Sequence, residues 1–353
     1  MRLGDWFALL ARHRFSIHPT RWAMAFLITL CAIFNTVMAW LQSARHGRKI
    51  RETTIERPPV FIIGHWRSGT THLHELMVLD DRFCFPTTYE CFTPHHYLVT
   101  EWFFANYCGW LMPKQRPMDN MAAGWKHPQE DEFALCNLGV PSIYTRIAFP
   151  NHPPEYMNFL DMTDIPASVL TRWGNALKLF AQTLTYQKQK QIIFKSPPHT
   201  GRVEVLSKLF PGAKFIHIAR SPYSVFPSTR RLWQSLDDVQ ALQWPKHEGL
   251  DEFVFAAFER MYRGYDAQRA CLDSDHLYEL RYEDLVRDPL GEVQKIYAAL
   301  GLGDFEPIRA KLSEYVQGQK DYTTNRHELE PEIKAEIRRR WGTYIERFGY
   351  DSE

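Results

Sequence analysis

Residues 59–80 constrain the fold of this 353-residue chain more than any other stretch. Their sequence is PVFIIGHWRSGTTHLHELMVLD, in which a short apolar, β-branched run ends at Gly64. A polar turn follows, and then Leu73, Leu76 and Met77 recur at helical spacing. This order predicts a buried strand, a tight loop and a helix.

The predicted loop between this strand and this helix is suited to binding an anion. The first backbone amides of a helix have no internal partner, and the helix dipole is positive there. Glycines at positions 64 and 69 allow the backbone to approach the anion closely, and the hydroxyls of Ser68, Thr70 and Thr71 add donors. An ordinary turn with two chance glycines is the alternative, but the strand, glycines, hydroxyls and helix all fall in register.

The spacing of Gly64 and Gly69 is that of a nucleotide phosphate loop, but the cation differs. Thr70 stands where an NTPase carries lysine, and the cation of this loop is Arg67. A guanidinium presents a fork of donors that suits a fixed set of oxyanions. The loop therefore favours a phosphate-like group without ordinary ATP–Mg chemistry.

A second buried strand is predicted at residues 191–196 and further strands at 215–220 and 277–282, and helices at about 305–317 and 330–347 close the chain. Strands that alternate with helices indicate an α/β fold: a P-loop-like parallel sheet flanked by helices on both faces, with an N-terminal hydrophobic helix. Ligands of such sheets bind beyond the carboxyl ends of the strands. Four polar side chains lie at or just past those ends: Arg67, Lys195, Arg220 and Ser228.

Charge and cysteine usage exclude some partners. The net charge is +1, so nothing indicates a nucleic-acid partner and any anion site must be local. The cysteines are scattered without a CxxC pair or metal-ligand spacing, and no Asn-x-Ser/Thr sequon occurs. These features favour a reducing, cytoplasmic setting.

Residues 22–42 contain no charged side chain and, as a helix, are long enough to cross the ~30 Å hydrocarbon core of a bilayer. Trp22 and Trp40 lie near the two ends, and both flanks are basic. Three interpretations compete: a spanning helix, a helix in the plane of the membrane, and a buried core or oligomer helix. We predict an N-terminal membrane-associated segment at residues 1–50 and a catalytic domain at residues 51–353.

Two regions carry candidate acid–base groups. Residues 81–112 are dense in aromatic side chains and contain Glu90 and His95, which favours either an apolar acceptor pocket or a helical core layer. An acidic cluster at residues 130–132 begins another predicted helix, where the helix dipole favours negative charge. The alternative is that one of these carboxylates lines the active site.

Together these segments resemble the sulfotransferases that use 3′-phosphoadenosine 5′-phosphosulfate (PAPS). Residues 64–71 are similar to their 5′-phosphosulfate loop, and residues 220–228 to the segment in which an arginine and a later serine bind the 3′-phosphate. The sequence Tyr-Glu-Asp-Leu at 282–285 is also typical. The resemblance covers roughly residues 58–348 and is closer to the bacterial and tyrosylprotein branch than to the cytosolic small-molecule enzymes.

The resemblance implies metal-free, in-line transfer of a sulfuryl group from PAPS. The residues expected to bind this co-substrate are Arg67, Ser68, Gly69, Thr70, Thr71, Arg220, Ser228 and, from a late loop, Lys320 and Arg326. Lys195 is expected to share the charge on the bridging oxygen with Arg67. The candidates for the base that takes the acceptor proton are, in order of preference, Glu90, His95, and then Asp131 and Glu132.

The aromatic segment and the apolar N-terminus indicate an amphipathic acceptor such as a lipid headgroup or another apolar alcohol, with a peptide tyrosine or a carbohydrate as alternatives. The enzyme is expected at the membrane, with its catalytic domain in the cytoplasm. The rival hypotheses are a P-loop small-molecule kinase or NTPase and a non-catalytic membrane adaptor. The first rival predicts tighter binding of ATP–Mg than of adenosine 3′,5′-bisphosphate (PAP), and the second predicts no nucleotide binding.

Overall fold

The computed structural model describes residues 1–111, 124–318 and 329–351. Its centre is a five-stranded sheet in the order β2-β3-β1-β4-β5, in which every described pair of neighbours is parallel. The strands are β1 (Val60–Ile63), β2 (Phe83–Cys84), β3 (Gln191–Lys195), β4 (Lys214–Ala219) and β5 (Leu277–Arg281).

The central strand β1 shows why the sheet is covered on both faces. All of its residues are buried, and because side chains alternate along a strand, they divide between two cores. Phe61 and Ile63 belong to the core on one face, whereas Val60 and Ile62 belong to the core on the other. A strand buried on both sides reads as a continuous apolar run, which is the pattern of this segment.

Helices surround the sheet and make up most of the chain. They are α1 (Leu3–Arg12), α2 (Trp22–Glu52), α3 (Thr70–Met77), α4 (Thr88–Phe92), α5 (Tyr97–Tyr107), α6 (Asp131–Asn137), α7 (Ala167–Lys188), α8 (Val203–Leu209), α9 (Pro222–Gln240), α10 (Leu250–Gln268), α11 (Tyr282–Arg287), α12 (Pro289–Leu300), α13 (Glu306–Gly318), α14 (Pro331–Arg340) and α15 (Gly342–Phe348). Short 3₁₀ segments occur at Pro19–Arg21, Gly109–Leu111, Ile143–Ile147, Met157–Leu160, Pro197–Arg202 and Arg269–Cys271.

The predicted α/β fold class is confirmed, with two differences in detail. The sequence pattern gave no fifth strand, because β2 has only two residues and forms by pairing with β3. The single helix expected at 330–347 is two helices, since the backbone leaves helical geometry at Trp341, where φ is −110° and ψ is 20°. The Trp341 side chain is buried in the main core, so packing of that ring fixes the break.

The N-terminal helices pack against the rest of the chain. Trp6, Leu9 and Leu10 of α1 form a small core with Phe149 and Leu242, which come from later in the sequence. By length and composition alone, the helical segment Pro19–Glu52 could cross a membrane, and little of its apolar window is buried. The division of the chain near residue 50 stays a prediction.

Candidate active site

The loop between β1 and α3 has a backbone that only glycine tolerates at two positions. Gly64 has a φ of +146°, and a Cβ there would lie 2.5 Å from the Ile218 carbonyl oxygen. Gly69 has a φ of +101°, and a Cβ there would lie 2.2 Å from Cδ2 of Tyr282. Both positions therefore require glycine on grounds of backbone conformation and of space.

Hydrogen bonds fix the start of this loop. The Gly64 amide donates to Oγ1 of Thr200 at 2.8 Å, and the Ser68 hydroxyl donates to the His65 carbonyl at 2.7 Å. The helix α3 starts at Thr70 directly after Gly69, and no side chain caps it. Its first amides thus retain the capacity to donate to an anion.

Arg67 joins the loop to two polar groups that follow β4. Its φ is +67°, which is uncommon for a residue with a side chain. Its Nε donates to Oγ of Ser228 at 2.9 Å, and its carbonyl accepts from Nη1 of Arg220 at 2.8 Å. The two guanidinium groups predicted for opposite ends of the donor therefore lie in one cluster.

The segment at 282–285 forms part of the same cluster. The ring of Tyr282 lies under Gly69, and the guanidinium of Arg220 stacks over this ring at 4.3 Å from its centroid. The neighbouring carboxylate of Glu283 accepts from the Ser221 amide at 3.1 Å. Cation–π stacking orients an arginine without using its N–H donors. The guanidinium of Arg220 can therefore still donate hydrogen bonds to oxyanions.

Lys195, at the end of β3, defines a second cluster beside the loop. Its side chain is only 1% exposed, and its Nζ donates to Oε1 of Glu130 at 2.8 Å and lies 3.4 Å from Oγ1 of Thr71. The other oxygen of Glu130 accepts a short hydrogen bond from Tyr144, whose hydroxyl also accepts from Nε1 of Trp66 at 2.9 Å. The ammonium group of Lys195, the carboxylate of Glu130 and the donors of Tyr144 and Trp66 thus lie next to the loop between β1 and α3.

The protonation state of Tyr144 follows from this environment. Burial and the adjacent Glu130 carboxylate hold the pKa of Tyr144 well above its ordinary value. The phenol therefore keeps its proton and donates it to Glu130. Of the three consecutive carboxylates at 130–132, Glu130 is the one that keeps some exposure and contacts the loop cluster.

The other two carboxylates at the start of α6 hold this helix in place. Asp131 is buried and contacts His199 at 2.6 Å and Ser196 at 2.8 Å. Burial alone would raise the pKa of Asp131, but the charge and hydrogen bond of His199 outweigh it and lower the pKa. Glu132 is buried against Arg202, whose Nη1 donates to it at 2.6 Å.

Glu90 and His95 lie apart from the contacts of the loop. The carboxylate of Glu90 is buried, accepts from the Thr87 amide at 2.7 Å as part of a capping box of α4, and pairs with Lys188 at 2.8 Å. Burial raises the pKa of Glu90, although Lys188 opposes this. His95 places Nε2 3.1 Å from the Asn137 carbonyl, and burial lowers its pKa to about 3.

The structure thus brings most of the predicted site together at one edge of the sheet. The loop residues, Arg220, Ser228 and Lys195 are adjacent, whereas no contact among the described residues joins Glu90 or His95 to them. Lys320 and Arg326 lie outside the described residues. Neither the role of Glu130 as a base nor the contact of Tyr144 was predicted from the sequence; the signal for Glu130 was its place in the acidic cluster before α6.

Comparison with known proteins assigns a family to this geometry. A sequence model described as "Sulfotransferase family" matches residues 58–307. Two curated relatives, from Mycobacterium bovis and Mycobacterium tuberculosis, are both named omega-hydroxy-beta-dihydromenaquinone-9 sulfotransferase Stf3. Each is 46% identical to this chain over 346 residues, which is 98% of this chain and 89% of the relative.

Solved structures of similar fold agree. Sulfotransferase STF9 from Mycobacterium avium superposes with a TM-score of 0.73 at 16% identity, covering 96% of this chain and 88% of that one. Sulfotransferase STF1 from Mycobacterium tuberculosis superposes with a TM-score of 0.66 at 18% identity, covering 97% and 91%. At this level of identity the likeness concerns the fold.

Proposed function

The chain belongs to the sulfotransferase family, and from this premise we propose that it transfers the sulfuryl group of PAPS to a hydroxyl of an amphipathic, lipid-like acceptor. The observation that carries the proposal is the contact of Arg67 with both Ser228 and Arg220, next to the Lys195–Glu130 pair. PAPS has charged groups at two ends, and the cluster offers a separate cation for each.

The proposed roles in donor binding follow from these positions. The α3 amides, the hydroxyls of Thr70 and Thr71 and the guanidinium of Arg67 suit the 5′-phosphosulfate. Arg220 and Ser228 suit the 3′-phosphate, because Arg220 is oriented by Tyr282 and has more N–H donors than its bond to the Arg67 carbonyl uses. The late-loop cations Lys320 and Arg326 stay a prediction.

The proposed reaction is an in-line displacement at sulfur. The acceptor oxygen forms a bond to sulfur while the bond from sulfur to the bridging oxygen of the phosphosulfate breaks, and its electron pair leaves with PAP. The acceptor proton passes to a carboxylate, and the cations of Lys195 and Arg67 stabilise the charge that develops on the leaving oxygen. No step of this sequence calls for a metal, as the resemblance also implies.

We propose Glu130 as the base, in place of Glu90, because of its contacts. A general base must come within hydrogen-bond reach of the proton it takes. Glu130 lies 2.8 Å from Lys195 and belongs to the cluster around Thr71, whereas Glu90 is occupied by the capping box of α4 and by Lys188. Tyr144 and Lys195 would hold the carboxylate in position from two sides.

Aromatic side chains beside Glu130 suit an apolar acceptor. The ring of Phe92 is exposed and lies 5.4 Å from that of Phe133, which lies 4.7 Å from that of Tyr144. This row connects the protein surface to Glu130. Since the relatives at 46% identity are named for a hydroxylated menaquinone, we propose that the acceptor is the hydroxyl of a long isoprenoid quinone or a similar lipid.

An acceptor of this kind resides in a bilayer, so the proposal includes attachment to the membrane through residues 22–42, with the catalytic domain on the cytoplasmic side where a nucleotide donor is available. The apolar helix Trp22–Glu52 and the name of the relatives support this part of the proposal.

Thermal denaturation with PAP, ATP–Mg, AMP and NAD tests the donor site. A ligand at about 100 times its Kd stabilises the folded state by ~2.7 kcal/mol, so PAP should raise Tm clearly and the other nucleotides should not. Arg67→Ala and Arg220→Ala should reduce the shift caused by PAP, and Arg339→Ala, an exposed arginine of α14, is the matched control. A larger shift with ATP–Mg would favour a kinase or NTPase, and no shift with any nucleotide would favour an adaptor.

Incubation with radiolabelled PAPS and a bacterial lipid extract tests the acceptor. Label should enter the organic phase and be lost with Arg67→Ala. Label that enters only protein or water-soluble molecules, from an enzyme that still binds PAP, would contradict the lipid acceptor while leaving the donor assignment intact.

A further inference from the structure

The helix α2 has two chemically different sides. Large apolar side chains are exposed along one side, and Trp40 is the most open of them at 73%. The exposed set is Trp22, Phe26, Leu27, Leu30, Ile33, Phe34, Val37, Trp40 and Leu41. These residues recur at spacings of three and four and so form one stripe, which runs ~28 Å along the helix at 1.5 Å per residue.

Four polar residues within the apolar part of α2 form hydrogen bonds to the rest of the protein, and two of them bind α1. Oγ1 of Thr29 accepts from Nε1 of Trp6 at 3.0 Å, and Oγ1 of Thr36 accepts from the Leu3 amide at 2.9 Å. These hydroxyls also donate to carbonyls four residues earlier within the helix. The threonine hydroxyls that interrupt the apolar run therefore have hydrogen-bond partners within the protein.

Two longer polar side chains of α2 bind α5. Nε2 of His96, at the start of α5, lies 2.9 Å from Oδ1 of Asn35. Oε1 of Gln42, a buried residue, accepts from the Leu98 amide at 2.9 Å. One side of α2 thus packs against the rest of the protein, and the other side exposes the large apolar side chains.

The segment before α2 binds the same domain as the segment after it. The amino group of Met1 donates to Oδ1 of Asn137 at 3.0 Å, Nη1 of Arg12 donates to Glu155 at 3.3 Å, and Trp6 is buried. If α2 crossed a bilayer, α1 would lie on the opposite side from Asn137 and Glu155. The contacts of α1 are therefore incompatible with a spanning helix.

The free face of α2 continues onto α5. The ring of Phe34 lies 6.1 Å from that of Phe104, and aromatic side chains of α5 and the 3₁₀ turn after it are exposed. These are Trp102, Phe103, Tyr107 and Trp110, of which Trp102 is 70% exposed. Tryptophan and tyrosine are the residues that favour the boundary between lipid and water.

We propose that α2 lies in the plane of the membrane and that its outward stripe and the exposed aromatics of α5 together form one surface that binds anionic lipid. This inference rests on the proposed function in one respect, because a lipid acceptor gives the enzyme a reason to bind a membrane. The contacts and exposed residues that support it do not depend on that function. Exposed basic residues lie beyond both ends of the stripe, at Arg14 before it and at Arg45, Arg48, Lys49 and Arg51 after it. They complement anionic headgroups.

The same charges argue against a second copy of the chain as the occupant of this face. Because both ends of the stripe are basic, two copies packed along it would bring like charges together in either relative orientation. A lipid surface meets the apolar stripe with its acyl region and the basic flanks with its headgroups at once.

Flotation of the purified full chain with vesicles of phosphatidylcholine and phosphatidylglycerol tests the surface. Wild type should float with vesicles that contain phosphatidylglycerol and bind more weakly to pure phosphatidylcholine. The double variants Ile33→Glu/Val37→Glu and Trp102→Glu/Phe103→Glu should each bind at least tenfold more weakly. Val286→Glu, which alters a half-exposed valine on α11, is the matched control and should bind as wild type. The PAP-induced rise in Tm verifies that every variant is folded.

Labelling with an impermeant maleimide in sealed inner-membrane vesicles tests the orientation. In a Cys31→Ser background, a cysteine introduced as Arg14→Cys and the native, exposed Cys271 should react from the same side. Reaction from opposite sides would overturn the in-plane arrangement.

Failure of wild type to bind vesicles, or a dimer in solution that Ile33→Glu/Val37→Glu converts to monomer, would overturn the lipid surface. A retained response to PAP in those cases would leave the proposed donor site standing.

Discussion

Three consecutive carboxylates at the start of α6 show how neighbouring residues of one chemical type take different roles. Asp131 and Glu132 are buried, and each has a basic partner from the segment after β3. Glu130 is the last residue before the helix, and its side chain pairs with Lys195 at the edge of the sheet. The pairing partners, which come from a distant part of the sequence, distinguish the three.

Glu130 and Glu90 provide a matched pair for identifying the base. We expect Glu130→Gln to lower kcat by ~10²–10⁴-fold, the usual contribution of a general base, with the PAP-induced Tm shift retained. Glu90→Gln should keep kcat near that of wild type but lower Tm, because it weakens the capping box of α4 and leaves Lys188 without its charged partner. Steady-state kinetics and thermal denaturation of both variants are the measurements.

The reverse pattern would return the role to Glu90: a large loss of kcat in Glu90→Gln together with near wild-type turnover in Glu130→Gln. His95→Gln serves as a third arm of this comparison, since His95 is the second candidate from the sequence. Its ring contacts the Asn137 carbonyl, away from the loop, so we expect its kcat to stay near that of wild type.

The secondary-structure elements were predictable where one physical cause dominates. The strands β1, β3 and β4 are almost wholly buried runs, and glycines with positive φ mark the loop after β1. The position of Lys195 and Arg220 at one edge follows from parallel strands alone. β2 was not predictable, because a two-residue strand has no period and exists only through its neighbour.

The acid–base part of the site was less predictable for a related reason. Glu90 was the first base candidate from the sequence, but its Thr87 partner makes it the N3 residue of a capping box. That local role can be read from the spacing of threonine and glutamate. The pairing of Glu130 with Lys195 joins residues from separate elements, and no local pattern reports such a contact.

The helix α6 is held to the sheet by buried ion pairs, and this predicts a large loss of stability when one is broken. Arg202→Met removes the partner of Glu132 and leaves a buried carboxylate uncompensated. We expect a decrease in the free energy of unfolding of ~3–5 kcal/mol, measured by urea denaturation. Arg339→Met, which breaks an exposed pair with Glu336, is the control and should leave the free energy of unfolding close to that of wild type.

If Arg202→Met lowers the free energy of unfolding by less than ~1 kcal/mol, the pair does not anchor α6. The double variant Arg202→Met/Glu132→Leu gives a further check. Replacing both charged partners by apolar side chains removes the uncompensated charge, so it should recover part of the lost stability.

At the scale of the whole molecule, α1 and α2 pack against elements from later in the sequence. The small core around Trp6 includes Phe149 and Leu242, and His96 of α5 contacts Asn35 of α2. The N-terminal segment was expected as an appendage because its composition differs from the rest. Composition shows that residues 22–42 are apolar. It does not show which side of the helix packs against the rest of the protein.

His95, a partly buried histidine near the N-terminal helices, predicts a pH dependence of stability. Burial, together with the nearby cations of Arg2 and the amino terminus, lowers the pKa of His95 to about 3. Because the folded-state pKa is below the unfolded value of about 6.5, the unfolded chain binds the extra proton between these two values. The contribution of His95 is therefore fully present above pH 6.5 and is lost progressively as the pH falls toward 3, at up to ~1.4 kcal/mol per pH unit.

Urea denaturation of wild type and His95→Gln between pH 5 and pH 8 measures this effect. Glutamine can still donate to the Asn137 carbonyl but does not titrate, so the variant should lose stability less steeply than wild type below pH 6.5. Above pH 7 the two proteins should show parallel curves, which is the internal control, since His95 is neutral in both the folded and the unfolded chain there.

Equal slopes in the acidic range would mean that the ring reaches water before global unfolding. The N-terminal junction would then open as a unit of its own, and the pH dependence would have to come from buried histidines elsewhere, such as His65 or His217, whose pKa values burial also lowers to about 3.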